Sequence, residues 1–180
     1  MFQKLNKPFF ITDYEALDKQ VSFGDTVNGE FKGIMYLNVY CQNYRSVLEY
    51  IPERYRNKFC ISLMEINAEI PPHTDCDLVT INFYVETDNC VTEFYKFKND
   101  NPKKHRIENQ TGQGFIYDKE DLQIWSNYLA EPGDVYILDV TKPHSVTPLG
   151  EIKNRVAITL ATASYDYNAV CDMLRETGHL

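Results

Sequence analysis

Residues 59–75 read FCISLMEINAEIPPHTD, and this stretch decides the fold class. From Phe59 onward apolar and polar side chains alternate, which is the period of a β-strand with one buried face. Pro71 and Pro72 predict the end of this strand, because proline cannot donate a hydrogen bond to a neighbouring strand. The alternation resumes at residues 79–85, so a second long strand is predicted there.

Short strands separated by turn residues continue to near the end of the chain, a pattern typical of β-sandwiches and barrels. The other strands are predicted at residues 32–40, 91–98, 105–108, 115–117, 122–129, 135–140 and 155–162. Helices are predicted at residues 13–20, 43–55 and 168–177, where they could cover the outside of one sheet. We therefore predict one mainly β domain over residues 1–180, with a core at about 59–162 and flanking helices at both ends.

The composition is that of a folded globular protein, with 43% hydrophobic, 24% charged and 13% aromatic residues. The formal net charge of −8 disfavours nucleic acid as a partner, because an acidic surface repels phosphate. A basic run at residues 96–106 is interpreted as a solvated loop. Five cysteines without a C-x-x-C pair predict free thiols in a reducing cytoplasm. Neither a signal peptide nor an apolar run of about 20 residues is evident, so no membrane association is expected.

Potential metal ligands occur in two places, each next to a predicted strand. His73 and Asp75 are separated by one residue, and this spacing puts both side chains on the same side of an extended segment. His144 follows the strand predicted at residues 135–140. Two histidines and one carboxylate form the facial triad of non-haem Fe(II) oxygenases, which leaves metal positions open for substrates. We therefore predict a metal site made by His73, Asp75 and His144.

Each ligand also has a plainer interpretation. The alternatives are a surface turn at His73, a turn cap at Asp75, a loop position for His144, and a surface ion pair between Arg155 and Glu151. Asp77 competes with Asp75 as the carboxylate ligand, but it breaks the spacing that puts two ligands on one side of a strand. The triad is preferred because the candidates coincide with strand boundaries.

Three segments together resemble the Fe(II)- and 2-oxoglutarate-dependent dioxygenases, in particular the prolyl-4-hydroxylase-like group. The segments are residues 72–85 with the H-x-D motif, residues 92–95, and residues 132–146 with a Pro-Gly-Asp turn, a strand and His-Ser-Val. The resemblance covers about residues 59–162 and implies a double-stranded β-helix, or jelly-roll, fold.

The resemblance also implies an enzyme that binds Fe(II), 2-oxoglutarate as co-substrate and O2, with ascorbate as an accessory reductant. The metal-binding and catalytic residues would be His73, Asp75 and His144. Arg155 stands where the family places the basic residue for the distal carboxylate of 2-oxoglutarate, and a planar guanidinium suits bidentate binding of a carboxylate. Oxidative decarboxylation to succinate and CO2 would drive hydroxylation of the second substrate.

The sequence departs from the family pattern in three places. Residues 89–91 replace a glycine pair, and Ala157 stands where many relatives have a serine. Thr159, Asn82 and Tyr84 are therefore expected to help Arg155 hold the co-substrate. The connection at residues 98–131 is long, which is typical of a lid or a substrate loop.

Other function classes stay open. A cupin-type metal enzyme would not use 2-oxoglutarate, and a non-catalytic jelly-roll module would bind no metal. For a hydroxylase, the family resemblance favours a small molecule, an amino acid or a peptidyl residue as substrate. Trp125 could line a substrate cleft, although core packing is the preferred interpretation of this side chain.

Overall fold

The computed structural model describes most of the chain from residue 42 onward, together with three short segments before it. The described residues are 1–10, 22–23, 34–37, 42–66, 69–109, 112–150 and 155–180. The helix predicted at residues 13–20 lies outside the described residues, as does most of the strand predicted at residues 32–40.

Strands make up most of the regular structure, so the prediction of a mainly β chain is confirmed. The strands are β1 (Phe2–Lys4), β2 (Ser22–Phe23), β3 (Ile34–Leu37), β4 (Cys60–Ile66), β5 (Ile70–Thr74), β6 (Val79–Glu86), β7 (Cys90–Phe97), β8 (Lys104–Asn109), β9 (Gly112–Tyr117), β10 (Leu122–Leu129), β11 (Val135–Asp139), β12 (His144–Pro148) and β13 (Arg155–Thr162). The helical elements are the 3₁₀ segments Gln42–Tyr50, Glu53–Lys58 and Lys119–Asp121 and the α-helix α1 (Tyr167–Glu176).

The described strands form two antiparallel sheets. The larger sheet has seven strands in the order β1-β11-β6-β13-β4-β3-β2, and the smaller has six in the order β10-β7-β12-β5-β9-β8. Chain neighbours are often separated in this order: β6 lies in the larger sheet and β7 in the smaller, joined by a turn at Asp88 and Asn89 with positive φ angles. Asparagine and aspartate tolerate this left-handed conformation better than other non-glycine residues.

The outer face of the larger sheet carries the main apolar core. Phe83, Ile137 and Ile158 are fully buried there, against side chains of the first 3₁₀ segment and of α1. Asp166 begins α1 by accepting a hydrogen bond from the Ala169 amide at 2.9 Å, as expected of an N-cap. The helices therefore cover one face of this sheet and leave its other face to the smaller sheet.

The inner face of the larger sheet packs against the smaller sheet through a second, more aromatic cluster. Its members are Tyr84, Phe94, Tyr128, Ala130, Tyr136, Leu138, Val140 and Ala157. Because strand side chains alternate, β13 presents Arg155, Ala157 and Thr159 to this interior and its large aliphatic residues to the helices. The inner face of β13 is therefore small and polar where its outer face is aliphatic.

The long strand predicted from Phe59 to Ile70 is wrong in one respect. The structure divides it into β4 and β5, and β5 continues through both prolines to Thr74. The prolines fit because Pro71 and Pro72 occupy a register shift against β12, and β9 pairs only with His73 and Thr74. No neighbouring strand needs a hydrogen-bond donor at either proline.

Two further predictions need correction. Residues 43–55 are predicted to form a short helix that Pro52 interrupts or ends. The break at Pro52 is confirmed, but the two segments on either side of it are 3₁₀ helices, with Pro52 as the N-cap of the second. Residues 98–131 form β8, β9 and β10 with a short 3₁₀ turn, so much of this connection extends the smaller sheet. Among the described residues no helix is both long and apolar enough to cross a membrane.

Candidate metal centre and anion pocket

His73 and His144 lie side by side in the middle of the smaller sheet. They are directly paired across β5 and β12, and their ring centroids are 4.2 Å apart. One transverse row of paired residues crosses all six strands, and it consists of His105, Ile116, His73, His144, Phe94 and Ser126. Strand pairing thus brings together two histidines that are distant in sequence. Both are buried, which contradicts the surface-turn interpretation of His73.

Asp75 completes a three-ligand cluster just beyond the end of β5. Its backbone amide donates to the Val140 carbonyl at 3.2 Å, which fixes the chain next to β11. Its carboxylate oxygens lie 3.4 Å from His73 Nε2 and 3.8 Å from His144 Nε2. One ligand atom from each residue lies within 4.8 Å of the others. Asp77 is not part of this cluster, so the carboxylate preferred from the spacing is the one that meets the histidines.

Backbone contacts determine which nitrogen of each imidazole faces the cluster. His73 Nδ1 donates to the Pro71 carbonyl at 2.8 Å, and His144 Nδ1 donates to the Lys142 carbonyl at 3.0 Å. Nε2 of each ring therefore faces Asp75, and a neutral ring held in this way presents its Nε2 lone pair to the cluster. Metal-binding histidines in proteins almost always use their second nitrogen in this way, because the outer hydrogen bond fixes the tautomer and the ring orientation.

The three ligands have different affinities for protons. Burial, together with the charge on His73, lowers the pKa of His144 to about 4. Burial also acts to lower the pKa of His73, but the hydrogen bond and charge of Asp75 outweigh it and raise this pKa. Burial acts to raise the pKa of Asp75, but the two histidines lower it overall. The cluster thus contains a carboxylate and a neutral imidazole, the forms that bind metals.

Tight packing behind the histidines holds them in place. The ring of Phe94 is stacked on His144, with centroids 5.6 Å apart. On the other side of β5, Gly114 lets β9 approach so closely that a Cβ atom there would collide with the Thr74 carbonyl oxygen. Glycine is needed at such a close backbone approach.

Arg155 lies in the same interior, at the start of β13, and is only 1% exposed. Its Nη2 donates to the Tyr84 hydroxyl at 2.9 Å and to Thr92 Oγ1 at 2.7 Å. Its guanidinium also lies over the Tyr84 ring, 4.9 Å from the centroid. This burial contradicts the interpretation of Arg155 as half of a surface ion pair with Glu151, a residue that lies outside the described residues.

The guanidinium is incompletely satisfied. Among the described residues, Arg155 Nε and Nη1 have no hydrogen-bond partner, and no carboxylate forms an ion pair with Arg155. Burial acts to lower its pKa, but the Tyr84 and Tyr128 hydroxyls raise this pKa overall, so the side chain stays charged. A buried, unpaired charge is strongly unfavourable, and proteins normally pair it. Nε and Nη1 are therefore buried donors that could serve a ligand, and the surroundings of Arg155 are called the anion pocket below.

A chain of hydrogen bonds connects Arg155 with the other residues proposed for co-substrate binding. The Tyr84 hydroxyl accepts from Arg155 and lies 3.4 Å from Asn82 Nδ2, and Thr159 Oγ1 donates to Asn82 Oδ1 at 3.1 Å. Tyr84 thus contacts the guanidinium directly, whereas Asn82 and Thr159 support Tyr84. The Tyr128 hydroxyl, 2.7 Å from that of Tyr84, extends the chain to β10.

Sequence reasoning gave neither Thr92 nor Tyr128 a role beside Arg155, although Thr92 contacts Arg155 and Tyr128 contacts Tyr84. Thr92 lies two residues before Phe94 on β7, so alternation alone puts it on the same face as Phe94. The alternation along β7 would therefore have predicted an inward-facing Thr92 once Phe94 was assigned to the interior. Tyr128 gives no comparable local signal, because its pairing with Thr92 depends on the register between β10 and β7.

The metal cluster and the anion pocket are neighbours along β7. Thr92 contacts Arg155, and Phe94 stacks on His144 two residues further on. Two residues of a strand span about 7 Å, so a small molecule could contact both sites at once.

No protein-family model matches the chain, and no curated protein is significantly similar to it. What the chain does must therefore be inferred from the chemistry of its own residues.

Two residues near the cluster are more exposed than predicted. Trp125 is predicted in the core but is 43% exposed. It lies where the pairing of β10 with β7 shifts register, and a shift of this kind turns a side chain out of the regular alternation. Cys76, predicted to be a buried thiol, is exposed next to Asp75.

Proposed function

We propose that the chain is an Fe(II)- and 2-oxoglutarate-dependent dioxygenase with a jelly-roll fold, which hydroxylates a small molecule, an amino acid or a peptidyl residue. One observation carries the proposal: a cluster of two histidines and one carboxylate lies beside a buried arginine that has two free N–H groups. Either feature alone is compatible with a purely structural role. Together they match the needs of a metal and of an anionic co-substrate that must bind next to each other.

The donor set of the cluster fits Fe(II). Two imidazole nitrogens and one carboxylate oxygen are the protein ligands of the facial triad, and they leave positions for a co-substrate and O2. Outer hydrogen bonds from His73 and His144 to backbone carbonyls hold both rings as a metal ligand requires. When bound, Fe(II) and 2-oxoglutarate supply the oxidising power for hydroxylation, with succinate and CO2 as the products of the co-substrate.

The anion pocket fits the distal carboxylate of 2-oxoglutarate. Arg155 has unpartnered donors at Nη1 and Nε, on different edges of the guanidinium, and either could bind an anion. Nη2 donates to Tyr84 and Thr92, which fixes the plane of the guanidinium. Ala157, on the same face of β13, presents only a methyl group to this interior. Many relatives have a serine at the position of Ala157, and its hydroxyl would help to bind the co-substrate. Here the Tyr84 hydroxyl would take that role, supported by Asn82 and Thr159.

The other residues of the interior position these groups and exclude water. Phe94 and Tyr128 are buried aromatic side chains of this interior, and they would exclude water from a bound co-substrate. We also propose a reducing cytoplasm as the location, because Cys60 and Cys76 are exposed free thiols.

Calorimetry under anaerobic conditions tests the proposal in two steps. Fe(II) should bind the wild-type chain at one site, and His73→Ala should abolish that binding. His105→Ala is the matched control, because His105 lies in the same row of the sheet but is exposed and contacts Asp118. 2-Oxoglutarate should then bind the Fe(II)-loaded protein, and Arg155→Ala should weaken that binding about 100-fold, since removing one partner of a buried charge pair costs 2–5 kcal/mol.

Three outcomes separate the candidate functions. Metal binding with dependent 2-oxoglutarate binding, followed by succinate formation in air, supports the dioxygenase. Metal binding that is indifferent to 2-oxoglutarate and to Arg155→Ala contradicts it and supports a cupin-type enzyme. A wild-type chain that binds no metal contradicts both and supports a non-catalytic module.

A further inference from the structure

Lys96 lies beyond the metal cluster on the strand that also carries the anion pocket. Phe94 points into the interior, where it stacks on His144, and Lys96 is two residues further along β7 on the same face. Thr92, Phe94 and Lys96 therefore stand in order at about 7 Å steps. Thr92 lies next to the anion pocket and Phe94 next to the metal ligands. Lys96 lies on the far side of the metal ligands from the anion pocket.

Trp125 holds the Lys96 ammonium in place. The Lys96 Nζ atom lies over the Trp125 ring, 4.1 Å from its centroid, which is a close cation–π contact. Trp125 occupies the register shift between Ile124, which pairs with Tyr95, and Ser126, which pairs with Phe94. This shift turns the indole of Trp125 towards Lys96, near the end of β7.

Lys96 and Trp125 combine a positive charge without an acidic partner among the described residues and an exposed aromatic ring. Among the described residues, no carboxylate forms an ion pair with Lys96, although the chain has a formal net charge of −8. By contrast, Lys119 contacts Glu69 at 2.6 Å and Lys98 donates to the Glu120 carbonyl. An exposed tryptophan next to an unpaired lysine presents a flat apolar surface with one positive charge at its edge.

We propose that Lys96 and Trp125 form the second-substrate subsite, and that this substrate is a small organic acid whose carboxylate binds Lys96 and whose apolar body lies on Trp125. The inference rests on the dioxygenase function proposed above and adds the chemical class of the substrate. It follows from the order along β7: Arg155 takes the co-substrate anion on one side of the metal ligands, and Lys96 takes the substrate anion on the other. The substrate carbon to be oxidised would then lie between its carboxylate and the metal.

Fluorescence provides a direct test because Trp125 is the only tryptophan in the chain. Phenylacetate is the probe, and phenylacetamide is its neutral control. Each is titrated anaerobically into protein loaded with Fe(II) and saturated with 2-oxoglutarate, so that Arg155 is already occupied. We expect phenylacetate to change Trp125 fluorescence saturably and phenylacetamide to have little effect.

Variants connect the signal to the proposed contact. Lys96→Gln should weaken phenylacetate binding about tenfold, the usual effect of losing one charge-assisted contact. Lys96→Arg should retain binding, and Lys119→Gln, which removes the same charge at a paired surface position, should leave it unchanged. Equal responses to phenylacetate and phenylacetamide, or unchanged phenylacetate binding in Lys96→Gln, would overturn the inference.

The titration is repeated with metal-free Arg155→Met protein, where neither the metal nor the anion pocket can contribute. Phenylacetate binding there that still depends on Lys96 supports the subsite even if the wild-type chain fails to bind Fe(II), in which case only the dioxygenase proposal falls. Intact metal and 2-oxoglutarate binding without any response of Trp125 to phenylacetate overturns the subsite alone.

Discussion

The two faces of β13 are equally buried but differ in chemistry. The outer face presents Val156, Ile158 and Leu160, all fully buried against other apolar side chains. The inner face presents Arg155, Ala157 and Thr159, which are also buried but are charged, small or polar. The outer face therefore supplies apolar packing, whereas the inner face supplies the polar groups on which the proposed function depends.

Truncating the outer face should have the largest effect on stability. Ile158→Ala is expected to lower the free energy of unfolding by about 3 kcal/mol, because it removes buried methyl groups and leaves a cavity. Urea denaturation measures the change. On the inner face, Thr159→Ala should cost only about 1 kcal/mol, since it removes one hydrogen bond to Asn82. Equal losses at the two positions would contradict the assigned division between the faces. Fe(II) affinity of folded Ile158→Ala protein should remain unchanged.

Strand bounds and turns are the features that the sequence predicted best. The predicted bounds of β10 and β13 match the structure residue for residue, and the turn at Asp88 and Asn89 lies where expected. Alternation of apolar residues and turn chemistry are local signals, so they can be read without knowing which strands pair.

The inner face was predicted only in part, because its contacts depend on strand register. His73, Asp75 and His144 were found as ligand types at strand boundaries, yet their proximity comes from the pairing of β5 with β12. Tyr128 joins the anion pocket through the register of β10 against β7, and the exposure of Trp125 comes from a register shift in the same pair. No pattern within a single strand specifies these relationships.

Gly114 offers a way to disturb the inner face from a neighbouring strand. Gly114→Ala would place a Cβ atom against the Thr74 carbonyl oxygen, next to two metal ligands. We expect β5 to shift, which should lower stability by about 2 kcal/mol as in other overpacked sites and weaken Fe(II) binding about tenfold. Gly150→Ala is the control, because open space surrounds Gly150. Full Fe(II) affinity in Gly114→Ala would mean that β9 does not help to position the ligands.

The pH dependence of metal binding should distinguish the two histidines. Asp75 has a lowered pKa and binds no proton near neutrality, and the pKa of His144 is lowered to about 4. His73, with a raised pKa, is therefore the ligand that must release a proton. Fe(II) affinity should fall about tenfold per pH unit below the pKa of His73, with a second proton involved only near pH 4. Calorimetry in buffers of different ionisation enthalpy counts the released protons; two protons released at pH 6 would contradict the assignment.

One substitution should have the opposite effect on stability to that of an ordinary core substitution. Arg155→Met keeps most of the volume but removes a buried charge that has no acidic partner among the described residues. We expect the free energy of unfolding to rise by about 1 kcal/mol, because the gain from not burying a charge exceeds the loss of hydrogen bonds to Tyr84 and Thr92.

The same variant should bind 2-oxoglutarate at least about 100-fold more weakly than the wild type, because the carboxylate loses its only proposed cation. Arg155→Lys is the informative comparison, since it retains the charge but not the planar pair of N–H groups, and it should recover only part of the binding. A destabilised Arg155→Met protein would show that the guanidinium serves the fold. In that case both faces of β13 would stabilise the fold, although one is polar and the other apolar. A stabilised protein without 2-oxoglutarate binding means that the chain retains Arg155 for a ligand at the expense of stability.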